Sequence, residues 1–438
     1  MIFLGLIIFL LLILSLGHSL LLFWPEVDRS PHLVLAFALG GSVITWQLFI
    51  IKFIFQLPLN ALSLGLFVAE LIILAVLHYR RGSKLLPSFT WLRVSGPLNQ
   101  SLLAVILLIL LLSLLRALTN PLLVFDALAT WAYRVKVLYY HQADLLNPEA
   151  LAFWANISKS NYPWHLSLLA WFQTLLSGTF SNTLINFLPW CYYAGLLVAV
   201  YVLAKDKLTQ TWSLALTLLV ATMPLLFYHS YSFYADLPLA FYIAVTCLVW
   251  RRWLSNHSIS TLILSSVLAG CALLVKSEAI FFISPLVFLS LFKLWQNKAQ
   301  FKNFWPLATT FAIYSPWSFW LITHRLSISN VASGLAWHPQ VTTYIFSAFF
   351  SATSWHLWWY LVALMLLLNW RAVSKQTIFK YCFALFLMSL LCFLALYYFT
   401  ETYQYALDNT AFSRNLLLFI APSTALLIDC LATWFDEK

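Results

Sequence analysis

Apolar runs of about 17–25 residues recur along the whole chain, separated by short clusters of basic residues. A run of that length, wound as helix, crosses a hydrocarbon core of about 30 Å. Inside such a core each backbone N–H and C=O must find its partner within the protein, which helices achieve segment by segment. With 63% hydrophobic and 9% charged residues, the chain has too little polar surface to clothe a soluble domain. The expected fold class is all-α, a polytopic membrane protein.

The basic clusters orient the runs. They are Arg80, Arg81, Lys84 and Arg93; Lys205 and Lys207; Arg251 and Arg252; Lys293, Lys298 and Lys302; and Arg371, Lys375 and Lys380. Positive residues between spans favour the cytoplasmic side, so an even number of crossings must separate neighbouring clusters. About thirteen spans satisfy this, with the N-terminus outside and the C-terminus inside. They run over residues 2–24, 32–55, 59–79, 100–119, 184–204, 212–229, 236–250, 259–276, 279–294, 304–322, 350–369, 378–399 and 415–433. Residues Met1–Trp24 carry no charge ahead of the apolar run and are expected as a span rather than a cleaved leader. Lys52, Gln56, Pro58 and Asn60 interrupt the early pattern without an assigned purpose. The net charge of +10 resides in these inter-span clusters, and no nucleic-acid partner is expected.

Three parts follow: N-terminal transmembrane helices over 1–119, an outer catalytic loop with interfacial helices over 120–183, and a C-terminal transmembrane bundle over 184–438. Tyr162–Leu176 is apolar, yet counting it as a span would put Lys205 and Lys207 outside. It is expected to be interfacial or re-entrant, and Trp154, Trp164 and Trp171 suit the head-group layer. Thr323–Thr343 and Glu401–Ser413 are expected on the same outer side.

All six cysteines fall within apolar spans and lack the spacing of a metal site. There is no glycine-rich phosphate loop, HExxH or GxSxG sequence. No cofactor and no metal are expected. What remains is a set of polar residues at the outer ends of spans: Asp126, Asp236, Lys276-Ser277-Glu278 and Arg414, together with Tyr162-Pro163-Trp164-His165. A carboxylate such as Asp126 at the hydrocarbon boundary is costly unless it has a function. Each group also admits a plainer reading. Asp126 and Arg414 fit as interfacial anchors, Asp236 as a helix N-cap ahead of Pro238, and Lys276 with Glu278 as an ion pair closing a turn. His141, His165 and His229 are expected as polar members of the aromatic belt.

The order of these blocks resembles a family. FDALATWAYRVKVLYY with Asp126, YPWHLSLLAWF from Tyr162, YADLPLAFY around Asp236, AGCALLVKSEAIFF, SPWSFW at Ser315–Trp320 and SRNLLLFIAP follow one another as in the C-type-fold (GT-C) membrane glycosyltransferases. These use polyprenyl-phosphate sugars and include protein mannosyltransferases, aminoarabinose transferases and lipopolysaccharide-core galacturonosyltransferases. The likeness runs from about Asn120 to the C-terminus. It implies transfer of a sugar from a polyprenyl-phosphate donor to a hydroxyl of a glycolipid, cell-envelope glycan or protein. The active site would face the periplasmic or extracellular side of a bacterial inner membrane, among membrane lipids. It implies Asp126 as base and Asp236 as the second catalytic carboxylate, orienting sugar or acceptor or holding a cation. Arg414, Lys276, Glu278, Lys159, Tyr162 and His165 become the donor-binding set. The chain departs from the family in having Pro163-Trp164 where many relatives have Pro-Pro, with Lys159 several residues upstream. It also ends without a C-terminal soluble domain, which favours a small or lipid-linked acceptor.

Two other classes compete. A transporter or lipid flippase would show half-repeats and charges near mid-span. A polysaccharide ligase or polymerase would carry a large late outer loop rich in arginine and histidine, where this chain has only His324, Arg325 and His338.

Overall fold

A computed structural model of the chain describes residues 2–24, 31–59, 61–80, 94–140, 162–296, 303–324, 335–350, 352–408 and 411–436. Among the described residues every regular element is helical. The chain opens with α1 (Ile2–Leu20) and α2 (His32–Phe49), the latter extended by a π-helical turn over Ile50–Ile54. Glycines let these two backbones touch. A Cβ on Gly17 would stand 1.8 Å from the Ala36 carbonyl oxygen, and one on Gly40 would stand 2.0 Å from that of Ile13. Lipid tails are as apolar as leucine, so helices in a bilayer associate through such close packing rather than through a solvent-driven force. Gly17→Leu is therefore expected to force α1 and α2 apart and to remove about 1–3 kcal/mol of stability, read as a lower unfolding midpoint in detergent. An unchanged midpoint would show that the contact carries no weight.

Next come α3 (Ala61–Arg80) and α4 (Pro97–Thr119), which presents Leu107, Leu108, Leu111, Leu112 and Leu115 outward. A π-helical turn over Ala127–Ala132 leads into α5 (Tyr133–Tyr140). Then α6 (His165–Ser177) ends at Gly178 in the left-handed conformation, φ 73°, the usual way to stop a helix without steric cost. The bundle continues with α7 (Phe187–Lys205), α8 (Gln210–Ala221), α9 (Pro224–His229) and α10 (Asp236–Asn256). After these come α11 (Ile259–Val275), α12 (Ile280–Gln296) and α13 (Ala308–Thr323). The last helices are α14 (Thr342–Phe350), α15 (Trp358–Val373), α16 (Thr377–Phe399) and α17 (Ile420–Asp436). A helical turn over Phe412–Asn415 and a 3-10 stretch over Leu416–Phe419 precede α17. Buried along nearly its whole length, α10 is the central helix, packed against α7, α11 and α17.

The membrane-spanning class stands, and the exact count of thirteen spans is not confirmed. Eight stretches of the described residues are long and apolar enough to cross a membrane, and Gln210–Ala221, Ile259–Val275 and Trp358–Val373 are shorter apolar helices. The expected span over 212–229 breaks after Ala221, because Pro224 has no N–H to continue the ladder and instead opens α9. The span expected over 350–369 starts only at Trp358, preceded by shorter helices. The tryptophan argument for α6 also fails for Trp164 and Trp171. Both are buried inside the protein, where α6 lies against α1, α2 and α5, so they pack rather than meet head groups. Trp154 lies outside the described residues.

Two of the basic clusters do more than orient the chain. Near the C-terminal end of α10, Arg251 grips Asp429 of α17 with both guanidinium arms, one at 2.9 Å. Lys207 reaches the same carboxylate at 2.7 Å. Asp429 is fully buried, so these cations supply the charge that its burial requires.

Candidate active site

The opposite ends of the same helices hold a second charged cluster, built from segments far apart in the chain. Asp126 stands in the first turn of the helical stretch that runs through the π-helical turn into α5, where the helix dipole favours a carboxylate. π-Helical turns of this kind concentrate at functional sites. Here one puts Arg134 under Tyr162-Pro163-Trp164. The Arg134 guanidinium donates to the Tyr162 carbonyl at 3.0 Å and lies 4.7 Å from the centre of the Trp164 ring. Ser167 of α6 donates to the Trp131 carbonyl at 3.2 Å, fixing the turn from the other side.

Asp126 meets Arg414, 288 residues away, with Nη2 to Oδ2 at 2.9 Å. The pair is partly open, with side-chain exposures of 32% and 19%. The Arg414 guanidinium also stacks 4.6 Å from the centre of the Tyr234 ring, and Tyr234 carries His229 at 5.1 Å between ring centres. His229 ends α9 and is wholly buried.

Beside this stands Lys276, in the extended link between α11 and the turn Ser277–Ala279. Its ammonium donates to Asp236 at 2.9 Å, to Glu278 at 2.9 Å and to Asn415 at 3.0 Å. An ammonium has three protons, and all three are committed. Asp236 is the first residue of α10, and the N-cap is Ala235. Tyr162 donates its hydroxyl to Glu278 at 3.2 Å. Burial, reinforced by the Glu278 carboxylate, pushes that hydroxyl well above the usual tyrosine range, so it remains a donor. Asn415 in turn donates to the Tyr397 hydroxyl at 3.1 Å. Arg414 lies within electrostatic reach of Asp236 as well as Asp126, so the two ion pairs form one cluster.

Of the residues expected from the sequence, Asp126, Asp236, Arg414, Lys276, Glu278 and Tyr162 come together. His165 does not join them. It is the first residue of α6, hydrogen-bonded to Thr45 at 2.8 Å and to Tyr192 at 2.9 Å, in a separate buried polar node with Ser42 and Tyr242. Lys159 lies outside the described residues. Sequence reasoning passed over Arg134, Tyr234, Asn415 and Tyr397, and it took His229 for a belt residue. His229 and Tyr234 share one aromatic block with Asp236, and Asn415 adjoins Arg414, which was the available signal. Nothing in the sequence pointed to Tyr397.

Residues 161–320 match the family model described as dolichyl-phosphate-mannose-protein mannosyltransferase. That stretch is similar to the membrane glycosyltransferases of that family. The match covers just over a third of the chain, and neither the curated proteins nor the solved structures contain a further match. Within it lie Tyr162, His229, Tyr234, Asp236, Lys276 and Glu278, one half of the cluster. Asp126 and Arg414 lie outside and reach that half only through the fold.

Proposed function

We propose that this protein transfers a glycosyl unit from a polyprenyl-phosphate donor to an acceptor hydroxyl at the outer face of a membrane. The observation that carries the reading is the Asp126–Arg414 pair, standing at the rim of the Asp236–Lys276–Glu278 network and partly open to a ligand.

Asp126 is the base. Its carboxylate takes the proton of the acceptor hydroxyl as that oxygen attacks the anomeric carbon. The bond to the donor phosphate breaks, and the phosphate leaves with an added negative charge. Arg414 stabilises that charge, because it has donors to spare: one arm holds Asp126, and Nε has no hydrogen-bond partner among the described residues. Drawing Arg414 toward the phosphate loosens its hold on Asp126, so donor binding itself frees the base. Lys276 is a positioning residue whose committed protons hold Asp236, Glu278 and Asn415 in register. The donor's prenyl chain lies in the cleft of about 370 Å³ between α4 and α9, lined by Leu112, Leu115, Phe227 and, at its polar end, Arg116, Thr119 and Asn120. Asn120 precedes Asp126 by one short stretch of chain, which brings the phosphate end of such a lipid toward the cluster. The outer three-part organisation, with residues 120–183 as the catalytic segment, and a site on the periplasmic side of a bacterial inner membrane belong to the same proposal. A transporter would place its charges at mid-span; these stand at helix ends.

The test is transfer of labelled sugar by purified protein in lipid, comparing the natural chain with Arg414→Gln. Loss of the guanidinium is expected to lower kcat/KM by about 10²–10³-fold. A variant within threefold of the natural protein would remove Arg414 from the chemistry.

A further inference from the structure

His229 is the least satisfied polar residue of the site. Its side chain is fully buried, and neither ring nitrogen has a hydrogen-bond partner among the described residues. Two more buried atoms of the same cluster share that condition, Nε of Arg414 and Oε2 of Glu278. A buried polar atom left unpaired costs about 1–3 kcal/mol, and native proteins rarely tolerate it without a reason. Four such atoms at one site describe a ligand by what it must supply.

The imidazole is neutral. Burial, opposed by Asp236 and reinforced by Arg414 and Lys276, pushes its pKa down to about 4. A neutral imidazole has one N–H to donate and one lone pair that accepts. Arg414 Nε donates, and Glu278 Oε2 accepts. A ligand that pairs these atoms presents both acceptors and donors. A phosphate oxyanion only accepts, which would leave one imidazole nitrogen and the Glu278 oxygen unpaired. Neighbouring hydroxyl groups both donate and accept, and satisfy both imidazole nitrogens and the Glu278 oxygen while Arg414 Nε turns to the phosphate.

We infer that His229 binds the glycosyl unit of the donor, exchanging hydrogen bonds with its hydroxyl groups, while Glu278 accepts from another hydroxyl of the same unit. The inference rests on the glycosyl-transfer reading and deepens it, because it assigns recognition of the sugar to a residue distinct from the base and from the phosphate-binding arginine. The placement is consistent with the chemistry. The anomeric carbon is one oxygen away from the phosphate, so a group that shares the Tyr234 ring with Arg414 lies where the ring hydroxyls follow.

The test compares two probes, a polyprenyl phosphate carrying mannose and the same lipid phosphate without sugar, bound to the natural protein, to His229→Phe and to His229→Gln. The natural protein is expected to prefer the sugar-bearing lipid. His229→Phe keeps the ring and removes both nitrogens, so it is expected to weaken the sugar-bearing lipid by about tenfold and to leave the bare lipid phosphate unchanged. Its unfolding midpoint is expected not to fall, since two unpaired buried atoms are gone. His229→Gln restores a donor and an acceptor and is expected to retain the preference to within about threefold. If His229→Phe keeps the full preference, or weakens both lipids equally, the inference is overturned and the glycosyl-transfer reading survives. Equal binding of both lipids by the natural protein also overturns it. If the natural protein binds neither lipid, the glycosyl-transfer reading itself falls.

Discussion

Asp126→Asn is expected to leave the protein folded and able to bind the donor, and to lower sugar transfer by about 10²–10⁴-fold. Asparagine matches aspartate in shape, and its amide oxygen still accepts from Arg414. What disappears is the capacity to take a proton at the attacking oxygen. The structural cost is small, because the pair is partly solvent-exposed and such pairs are worth about 0–1 kcal/mol. Donor affinity is expected to hold or to rise, since Arg414 is then held by a neutral group and moves to a phosphate more freely. The measurement is single-turnover transfer alongside equilibrium binding of the donor. Equal transfer by both proteins would reduce Asp126 to an interfacial anchor. Loss of binding together with transfer would make the Asp126–Arg414 pair a structural element of the donor site instead.

The second large effect is expected at the other end of the bundle. Asp429→Leu is expected to destabilise the protein by about 3–5 kcal/mol, because Arg251 is then left buried without its counter-charge. Lys207 is 31% exposed and can turn toward water, so Arg251 bears most of the loss. Adding Arg251→Leu to Asp429→Leu is expected to restore most of the stability, since replacing both members of a buried pair by apolar groups is often neutral. Thermal unfolding of the two single variants and the double variant completes the cycle. If the double variant is no more stable than Asp429→Leu alone, the grip of Arg251 on Asp429 is not what holds α10 to α17.

The two charged clusters show how far the sequence could be read. Asp126, Asp236, Lys276, Glu278 and Arg414 stood out because a charge at the edge of an apolar run is rare enough to notice one residue at a time. Arg251 and Lys207 were equally visible but were read for orientation alone. Their shared partner, Asp429, lay unremarked within an apolar stretch some 180 residues from Arg251. His229 was seen and set aside, because a histidine among tyrosines looks the same in sequence whether it lines a membrane surface or a buried site. The tryptophans of α6 misled in the opposite direction: aromatic belts and aromatic cores have one composition, and only neighbours tell them apart. The bounds of the span expected over 212–229 were misjudged because hydropathy averages over a window and does not register that Pro224 halts a helix at one peptide unit.

The membrane-spanning helical class was determined by composition and period, since hydrocarbon imposes one condition, internal pairing of the backbone, on every apolar run alike. Which runs touch is a matter of shape and pairing between distant segments. Gly17 against Ala36, Arg414 against Asp126 and Lys276 among Asp236, Glu278 and Asn415 are specified by contacts of a few ångströms that no single segment encodes. The site belongs to that second kind: its residue types were legible one by one, and the decision that they form one cluster was made by the packing of α9, α10, α11 and α17.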